Sequence, residues 1–205
     1  MKLVFAIIAI LFLGTIATFL ASCKNKSQAA EQTNKQLQDT TPPKKVDPNN
    51  NPYRDLRNLA FSATAEQVGV QLPIDQAKIY GVIMDWGLGE GTATLVSFIS
   101  GDASLYLSSG GGVIGGSGHD NVKQAAIAFI NKAEKYLRKT VKTGTTPLPD
   151  KGIVKFYFLT NKGKFIGQEE MKNFENNSSE WLELFEEGNK VITEIRTATD
   201  GKLSN

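Results

Sequence analysis

Beyond residue 52, apolar side chains occur in short continuous runs separated by glycine-rich or polar turns. The runs are rich in β-branched and aromatic residues, which pack well on a pleated surface, so each predicts a strand. Turn signals at 87–91 and 100–102 join the first three strands into an antiparallel meander, and Asn161 and Gly163 can take positive φ in a hairpin that joins the last two. The five predicted strands are residues 78–86, 92–99, 103–108, 152–160 and 164–168.

A second pattern, apolar residues three or four positions apart, predicts helices because it places those side chains on one face. Leu56, Leu59 and Ala60 share such a face, and longer stripes follow at 122–137 and 181–195. These faces are expected to pack against the predicted sheet.

Polar residues mark where the helices are expected to begin. Thr64, with a glutamine three residues later, fits a capping box and predicts a second short helix. Asp120 or Ser117 can cap the central helix, and Asn177 or Ser179 precedes the last one.

The element order is αβββαββα, which predicts a single α+β globular domain over residues 53–205, with a five-stranded, mainly antiparallel sheet flanked by helices. This order resembles that of profilin-like and roadblock-like domains, which combine a central sheet with flanking helices. The strand number before the central helix departs from those domains, and no residue-level motif is shared. The resemblance therefore implies a fold and no functional residue.

Residues 1–22 have the layout of a secretory signal peptide, with a basic start, an apolar run from Leu3 to Leu20 and small residues before Cys23. An uncleaved membrane anchor is the alternative, because the run is long enough to cross a hydrocarbon core of about 30 Å. The two lysines soon after Cys23 would then lie on the translocated side, against the cytoplasmic preference of basic residues. This disfavours the anchor.

The tetrad Leu-Ala-Ser-Cys at 20–23 resembles the lipobox of bacterial lipoproteins, in which the signal peptidase cuts before the cysteine. The resemblance implies that Cys23 is lipidated and attaches the protein to a membrane of the bacterial cell envelope. It also accounts for a chain with a single cysteine. Lys24 stands where an aspartate would resemble an inner-membrane retention signal, which favours the outer membrane.

Residues 23–52 are rich in Gln, Asn, Lys, Thr and Pro and nearly lack large apolar side chains. Such a segment buries too little surface to offset the entropy of ordering it. It is predicted to be a disordered tether between the lipidated Cys23 and the domain.

The charge distribution argues against one class of partner. The chain has a formal charge of +2, but residues 53–205 hold 17 of its 23 basic and 18 of its 21 acidic residues, a net charge of −1. A nearly neutral domain lacks the basic face that neutralises phosphates, so no nucleic-acid partner is expected. No cofactor is expected either.

The stretch SSGGGVIGGSGHDN, from Ser108 to Asn121, lies between a predicted strand and the central helix. Its glycines fit the spacing G-x-G-x-x-G, which lets a backbone approach a phosphate closely. Further residues intervene before the helix, and the strands are expected to be antiparallel, so turn formation and contact are favoured over nucleotide binding. The candidate ligand-binding residues are Gly110, Gly111, Gly112, Gly115 and Gly116.

The only histidine, His119, stands beside Asp120 and raises the possibility of catalysis. A hydrolase would use His119 as the base and Ser117, or a serine at 108 or 109, as the nucleophile. A helix-capping Asp120 beside an exposed His119 is the competing interpretation. One histidine and no thiol in the domain leave too few ligands for zinc, so no metal is expected.

Asp85 and Glu90 flank a predicted turn and could form a carboxylate pair or hold a cation. Carboxylates around a hairpin are usually solvated, and their spacing is not that of a calcium loop. Both are interpreted as solvated turn residues, and Trp86 as a core residue.

Together these patterns predict a membrane-anchored lipoprotein that acts as a non-enzymatic binding or scaffolding module, with an envelope protein or glycan as partner. The alternative is an envelope hydrolase that uses His119 with a nearby Ser or Asp. The sequence leaves the oligomeric state open.

Overall fold

The computed structural model describes residues 51–200, which form one compact unit. The predicted signal peptide, Cys23 and the tether up to residue 50 lie outside the described residues. The helices are α1 Pro52–Ser62, α2 Asp120–Ala133, α3 Met171–Glu175 and α4 Leu182–Asp200. The strands are β1 Ile79–Leu88, β2 Gly91–Phe98, β3 Ala103–Leu107, β4 Gly112–Val113, β5 Val141–Thr143, β6 Ile153–Thr160 and β7 Gly163–Glu170.

The fold is α+β, with one antiparallel sheet of seven strands in the order β4-β3-β2-β1-β6-β7-β5. The five predicted strands form its centre, but the prediction of a five-stranded sheet is wrong. The two additional strands, β4 and β5, have two and three residues and lie at the edges. Segments this short carry no periodic pattern, and the shorter one begins with glycine, which is depleted in strands.

One face of the sheet is covered by α2 and α4, and it holds the aromatic core. The Trp181 ring stacks on Phe156 with centroids 5.5 Å apart, and a β-carbon at Gly167 would overlap that indole ring. Trp86 is half-buried and packs edge to face on Phe185 at 5.5 Å. Gly167, on β7, is therefore required by its close contact with the Trp181 ring and not by a turn.

The Glu169 carboxylate fixes the connection from β7 to α4. It accepts hydrogen bonds from Asn173 Nδ2 at 2.7 Å and from Ser179 Oγ at 3.0 Å. Ser179 Oγ in turn accepts a bond from Trp181 N at 2.9 Å. Burial alone would raise the pKa of Glu169, but these hydrogen bonds outweigh burial and hold the pKa below its ordinary value of 4.5.

The opposite face of the sheet is covered by α1. Its buried side chains form a cluster with residues of β1, β2, β3 and β6. A shift in register between Ile79 and Gly81 marks an irregularity at the start of β1, where Tyr80 packs against this cluster and donates a hydrogen bond to Ala63 O at 2.9 Å. The cluster consists of Tyr53, Ala60, Ile83, Val96, Tyr106, Tyr157 and Leu159.

Several predicted helix starts differ in the structure. The Thr64 capping-box hydrogen bonds form, at 2.9 and 3.2 Å, but the chain makes only turns at 65–69 and no second short helix. His119 occupies the N-cap of α2 without a side-chain bond, and Asp120 is the first helical residue. Helix α2 continues after Ala133 as a 3₁₀ helix.

The hairpin turn between β6 and β7 also differs from the prediction at one position. Gly163 has φ +106°, as a turn glycine can, whereas Asn161 does not take positive φ. Its side chain instead accepts a bond from Lys78 N and donates one to Gln76 O, both at 2.9 Å. Within residues 51–200, no helix combines the length and apolar character that a bilayer crossing requires.

Candidate functional site

The glycine-rich stretch forms a turn, the short strand β4 and a 3₁₀ helix at Gly116–Gly118. Gly112 takes φ +154°, and a β-carbon there would overlap the Leu105 carbonyl on the paired strand. A β-carbon at Gly116 would lie 2.7 Å from Val122 Cγ1. At these two positions, close packing against neighbouring elements explains the glycine. Gly110, Gly111 and Gly115 have positive φ and open space around them.

His119 is half-buried beside a cavity of about 50 Å³, whose other lining residues include Ile114, Val122, Ile195 and Thr199. Among the side chains that the structure describes, none makes a hydrogen bond to the His119 ring. The structure therefore brings no described acid or nucleophile to this base.

The other candidates for such a site are three serines and Asp120. Ser108 Oγ accepts a hydrogen bond from Thr92 N at 2.7 Å, which engages it in the sheet. Ser109 and Asp120 are exposed, and Ser117 belongs to the 3₁₀ helix before α2. No described contact joins them to His119 as a catalytic set.

Asp85 is fully buried on the α1 face of the sheet, so its interpretation as a solvated turn residue is wrong. Its Oδ2 accepts bonds from Arg57 Nε at 3.1 Å and Arg57 Nη2 at 2.5 Å, and its Oδ1 accepts one from Thr94 Oγ1 at 2.5 Å. Glu90 is exposed in the β1–β2 turn. Asp85 is thus the acceptor of a buried ion pair and not half of a carboxylate pair.

The ion pair is enclosed by hydroxyl and aromatic groups. The Thr94 hydroxyl donates its hydrogen bond to Asp85. The Tyr53 hydroxyl must therefore be the donor of the 2.8 Å bond between Tyr53 and Thr94. The Arg57 guanidinium lies 4.7 Å from the centroid of the Phe61 ring and 5.8 Å from that of Tyr157. These contacts satisfy the charges and pin α1 to β1, β2 and β6.

The electrostatics of this cluster favour a structural role. Burial, with a smaller contribution from the Asp85 charge, raises the pKa of Tyr157 to about 12, and burial also raises the pKa of Tyr53. Burial works to lower the pKa of Arg57, but its hydrogen bonds to Asp85 and the Asp85 charge outweigh burial and raise it. Both tyrosines stay neutral and the guanidinium stays charged at neutral pH, so none of the three exchanges protons there.

An open apolar groove lies on the same face, between α1 and strands β2 and β3. It holds a cavity of about 150 Å³. Leu59 is 66% exposed at this groove, although the helical pattern predicted it on the packed face, and Phe98 is half-buried. The α1 groove, as we call it, is lined by Leu59, Ala60, Ala63, Val96, Phe98, Asp102, Ala103, Ser104 and Tyr106.

Sequence reasoning missed both features because the buried stripe of α1 matches the predicted apolar one only in part: Leu56 and Ala60 pack on the cluster as predicted, whereas Leu59 does not. The buried residues are Tyr53, Arg57 and Ala60, so a charged residue occupies the centre of the packed face while Leu59 turns outward. The signal that could have found the stripe is the spacing of Tyr53, Arg57 and Ala60 at i, i+4 and i+7, provided that the charge is allowed a buried partner.

Among residues 51–200, no group of three or more His, Cys, Asp or Glu side chains is arranged to hold a metal ion. Comparison of the chain with protein-family models, with curated proteins and with solved structures finds no match.

Proposed function

We propose that this protein is a lipoprotein anchored through Cys23 in the bacterial cell envelope, and that its domain is a non-enzymatic binding module. The α1 groove carries the proposal, because it is an open apolar site built on a rigid sheet. Its ligand is an apolar side chain presented by a polypeptide partner in the envelope. No functional residue is taken from the resemblance to profilin-like and roadblock-like domains.

The size of the groove supports an occupant of this kind. A cavity of about 150 Å³ lined by apolar side chains is known to accept a benzene ring, and the α1 groove has this volume. Leu59 stands at its edge with 66% of its surface exposed. A partner side chain that entered the groove would bury Leu59 and Phe98, which the free domain leaves in contact with water.

The buried ion pair supports the proposal by keeping the groove open. Arg57 lies on the helix that forms one wall, and Asp85 lies in the sheet that forms the floor. Because charged hydrogen bonds fix this wall, the groove is preorganised and binding costs little reordering.

The test is a selection of random displayed peptides on the full chain, followed by affinity measurement with synthetic copies of the selected peptides. We expect selected peptides to share a large apolar residue. Leu59→Asp should weaken their binding about tenfold or more, because the apolar contact that buries Leu59 in the complex is lost. Leu148→Asp is the matched control, since Leu148 is 47% exposed and does not line the groove.

Equal binding by wild type and Leu59→Asp would overturn the groove as the site, and so would a selection without an apolar consensus. The hydrolase alternative is examined by the same chain with generic ester, phosphate and peptide substrates. Turnover that disappears in His119→Ala would replace the binding proposal with an enzymatic one.

A further inference from the structure

Three lysines meet at the end of the sheet where β6 turns into β7. Lys162 lies in the turn itself, Lys164 is the second residue of β7, and Lys142 lies on the neighbouring edge strand β5. The Lys142 side chain runs along the turn, with its Cε 3.2 Å from where a β-carbon of Gly163 would stand. The three lysines therefore lie at one end of the sheet, where the pairings of Lys142 with Phe165 and of Thr143 with Lys164 place the Lys142 and Lys164 side chains on opposite faces.

These lysines lack the carboxylate partners that others have. Lys78, at the same end of the sheet, is paired with Glu134 at 3.0 Å. Among residues 51–200, no carboxylate lies within 4.0 Å of Lys142, Lys162 or Lys164. Asp75 is the acidic residue next to Ile74 in this region, and it is exposed. The corner keeps a local excess of positive charge on a domain that is otherwise nearly neutral.

Two exposed aliphatic side chains stand beside the lysines. Ile74 is 88% exposed, the most of any large apolar residue described, and Lys162 Nζ donates a 2.5 Å bond to its carbonyl. Val141 is 67% exposed and directly precedes Lys142. We call Ile74, Val141, Lys142, Lys162 and Lys164 the basic corner.

We infer that the basic corner docks on an anionic phospholipid surface with the β6–β7 turn toward the lipid, so that lysines on both faces of the sheet reach the headgroups. Lysines attract the headgroups, and the aliphatic side chains enter the boundary between headgroups and acyl chains. A nucleic acid fits less well, because binding single strands uses aromatic side chains for stacking and this corner offers aliphatic ones.

The anchoring proposed at Cys23 would hold the domain next to such a surface, and to that extent the inference rests on the proposed function. Residues 24–50 are 27 residues, which can span at most about 90 Å when fully extended. Strand β6, which ends at this turn, has eight residues and is about 26 Å long. The chain is therefore long enough for the basic corner to reach the membrane.

The expected strength follows from the number of charges. Each lysine near an anionic surface contributes about a fivefold gain in affinity, so three contribute on the order of a hundredfold. The gain is screened as ionic strength rises.

The experiment uses the full lipidated chain in vesicles of phosphatidylcholine alone or mixed with phosphatidylglycerol. Lysines are acetylated with an amine reagent, and modification at each position is read by mass spectrometry. We expect modification of Lys142, Lys162 and Lys164 to fall about fivefold or more with phosphatidylglycerol and to recover in high salt. Lys151, exposed at the opposite end of the sheet, should react equally in both vesicles.

Two variants separate the contributions. Lys142→Gln should lower the protection of the two remaining corner lysines about fivefold, whereas the matched control Lys151→Gln should leave it unchanged. Ile74→Ser should also lower the protection, without any change of charge.

Equal modification in both vesicles would overturn the inference. A soluble oligonucleotide that protected the lysines as well as phosphatidylglycerol does would replace the lipid with a general polyanion. A failure of the anchoring is detected separately by flotation of the vesicles, because protein that is not anchored floats with neither kind of vesicle. In that case the same labelling of the Cys23→Ser chain, added to preformed vesicles, still decides whether the corner binds the anionic lipid.

Discussion

Replacing Arg57 by methionine should strongly destabilise the domain. The side chains of Arg57 and Asp85 are 6% and 0% exposed, so solvent does not screen the pair. Methionine keeps most of the aliphatic volume but removes the guanidinium. The Asp85 carboxylate then stays buried with the Thr94 hydroxyl as its remaining donor.

The magnitude follows from that unpaired charge. Breaking a buried ion pair by removing one partner costs about 3–5 kcal/mol, because the other charge is left without compensation. A domain of this size has a free energy of unfolding of about 5–15 kcal/mol, so the loss is a large fraction of the total. At about 2–4 °C per kcal/mol, the midpoint of thermal unfolding should fall by roughly 6–20 °C.

The assay is thermal and urea unfolding of the detergent-solubilised chain, followed by tryptophan fluorescence and circular dichroism. The single variant Asp85→Leu and the double variant Arg57→Met with Asp85→Leu complete the cycle, and the double variant removes both charges and leaves apolar groups of similar size. We expect the double variant to recover most of the stability that Arg57→Met loses. If Arg57→Met lowered the free energy of unfolding by less than about 1 kcal/mol, the ion pair would not be what holds α1 on the sheet. A double variant as unstable as the sum of the singles would refute the unpaired charge as the cause.

Two further predictions concern the other face of the sheet. Gly167→Ala should cost about 1–3 kcal/mol, because the new methyl group would overlap the Trp181 ring, whereas Gly144→Ala, with open space around it, should change the free energy of unfolding by less than about 0.5 kcal/mol. The pKa of Glu169 is lower in the folded chain than its ordinary 4.5, so its carboxylate stabilises the fold above that pH and the stabilisation is lost as the pH falls through the folded value. Acid titration of unfolding should show this loss in wild type and not in Glu169→Gln, and equal acid sensitivity in both would contradict it.

The centre of the fold was predictable because its strands are long and unambiguous. Strands β1 and β6 are covered on both faces, so their apolar runs are nearly continuous, and glycines separate them from their neighbours. The edge strands β4 and β5 escaped prediction because pairing with longer strands, and not their own residues, makes them extended. The 3₁₀ continuation of α2 follows tertiary packing in the same way.

The candidate site was less predictable because tertiary contacts reverse the usual meaning of its residues. Asp85 stands next to a glycine-rich turn, where a carboxylate is normally solvated, and only the arrival of Arg57 from another element makes its burial possible. Leu59 belongs to an apolar stripe, yet the ion pair turns α1 so that this leucine faces water. One buried charge pair thus decides which face of the helix is packed.

The two surfaces proposed to bind share no residue. The α1 groove lies over β2 and β3, whereas the basic corner lies at β5 and the β6–β7 turn, so strand β1 stands between them at the same end of the sheet. Each surface can therefore be altered without changing the residues of the other. It follows that Leu59→Asp should leave the protection of Lys162 by phosphatidylglycerol unchanged, and that Lys142→Gln should leave peptide affinity unchanged. Arg57→Met is different, because it releases the helix that walls the groove while leaving the β6–β7 turn intact. It should weaken peptide binding and preserve contact with the membrane.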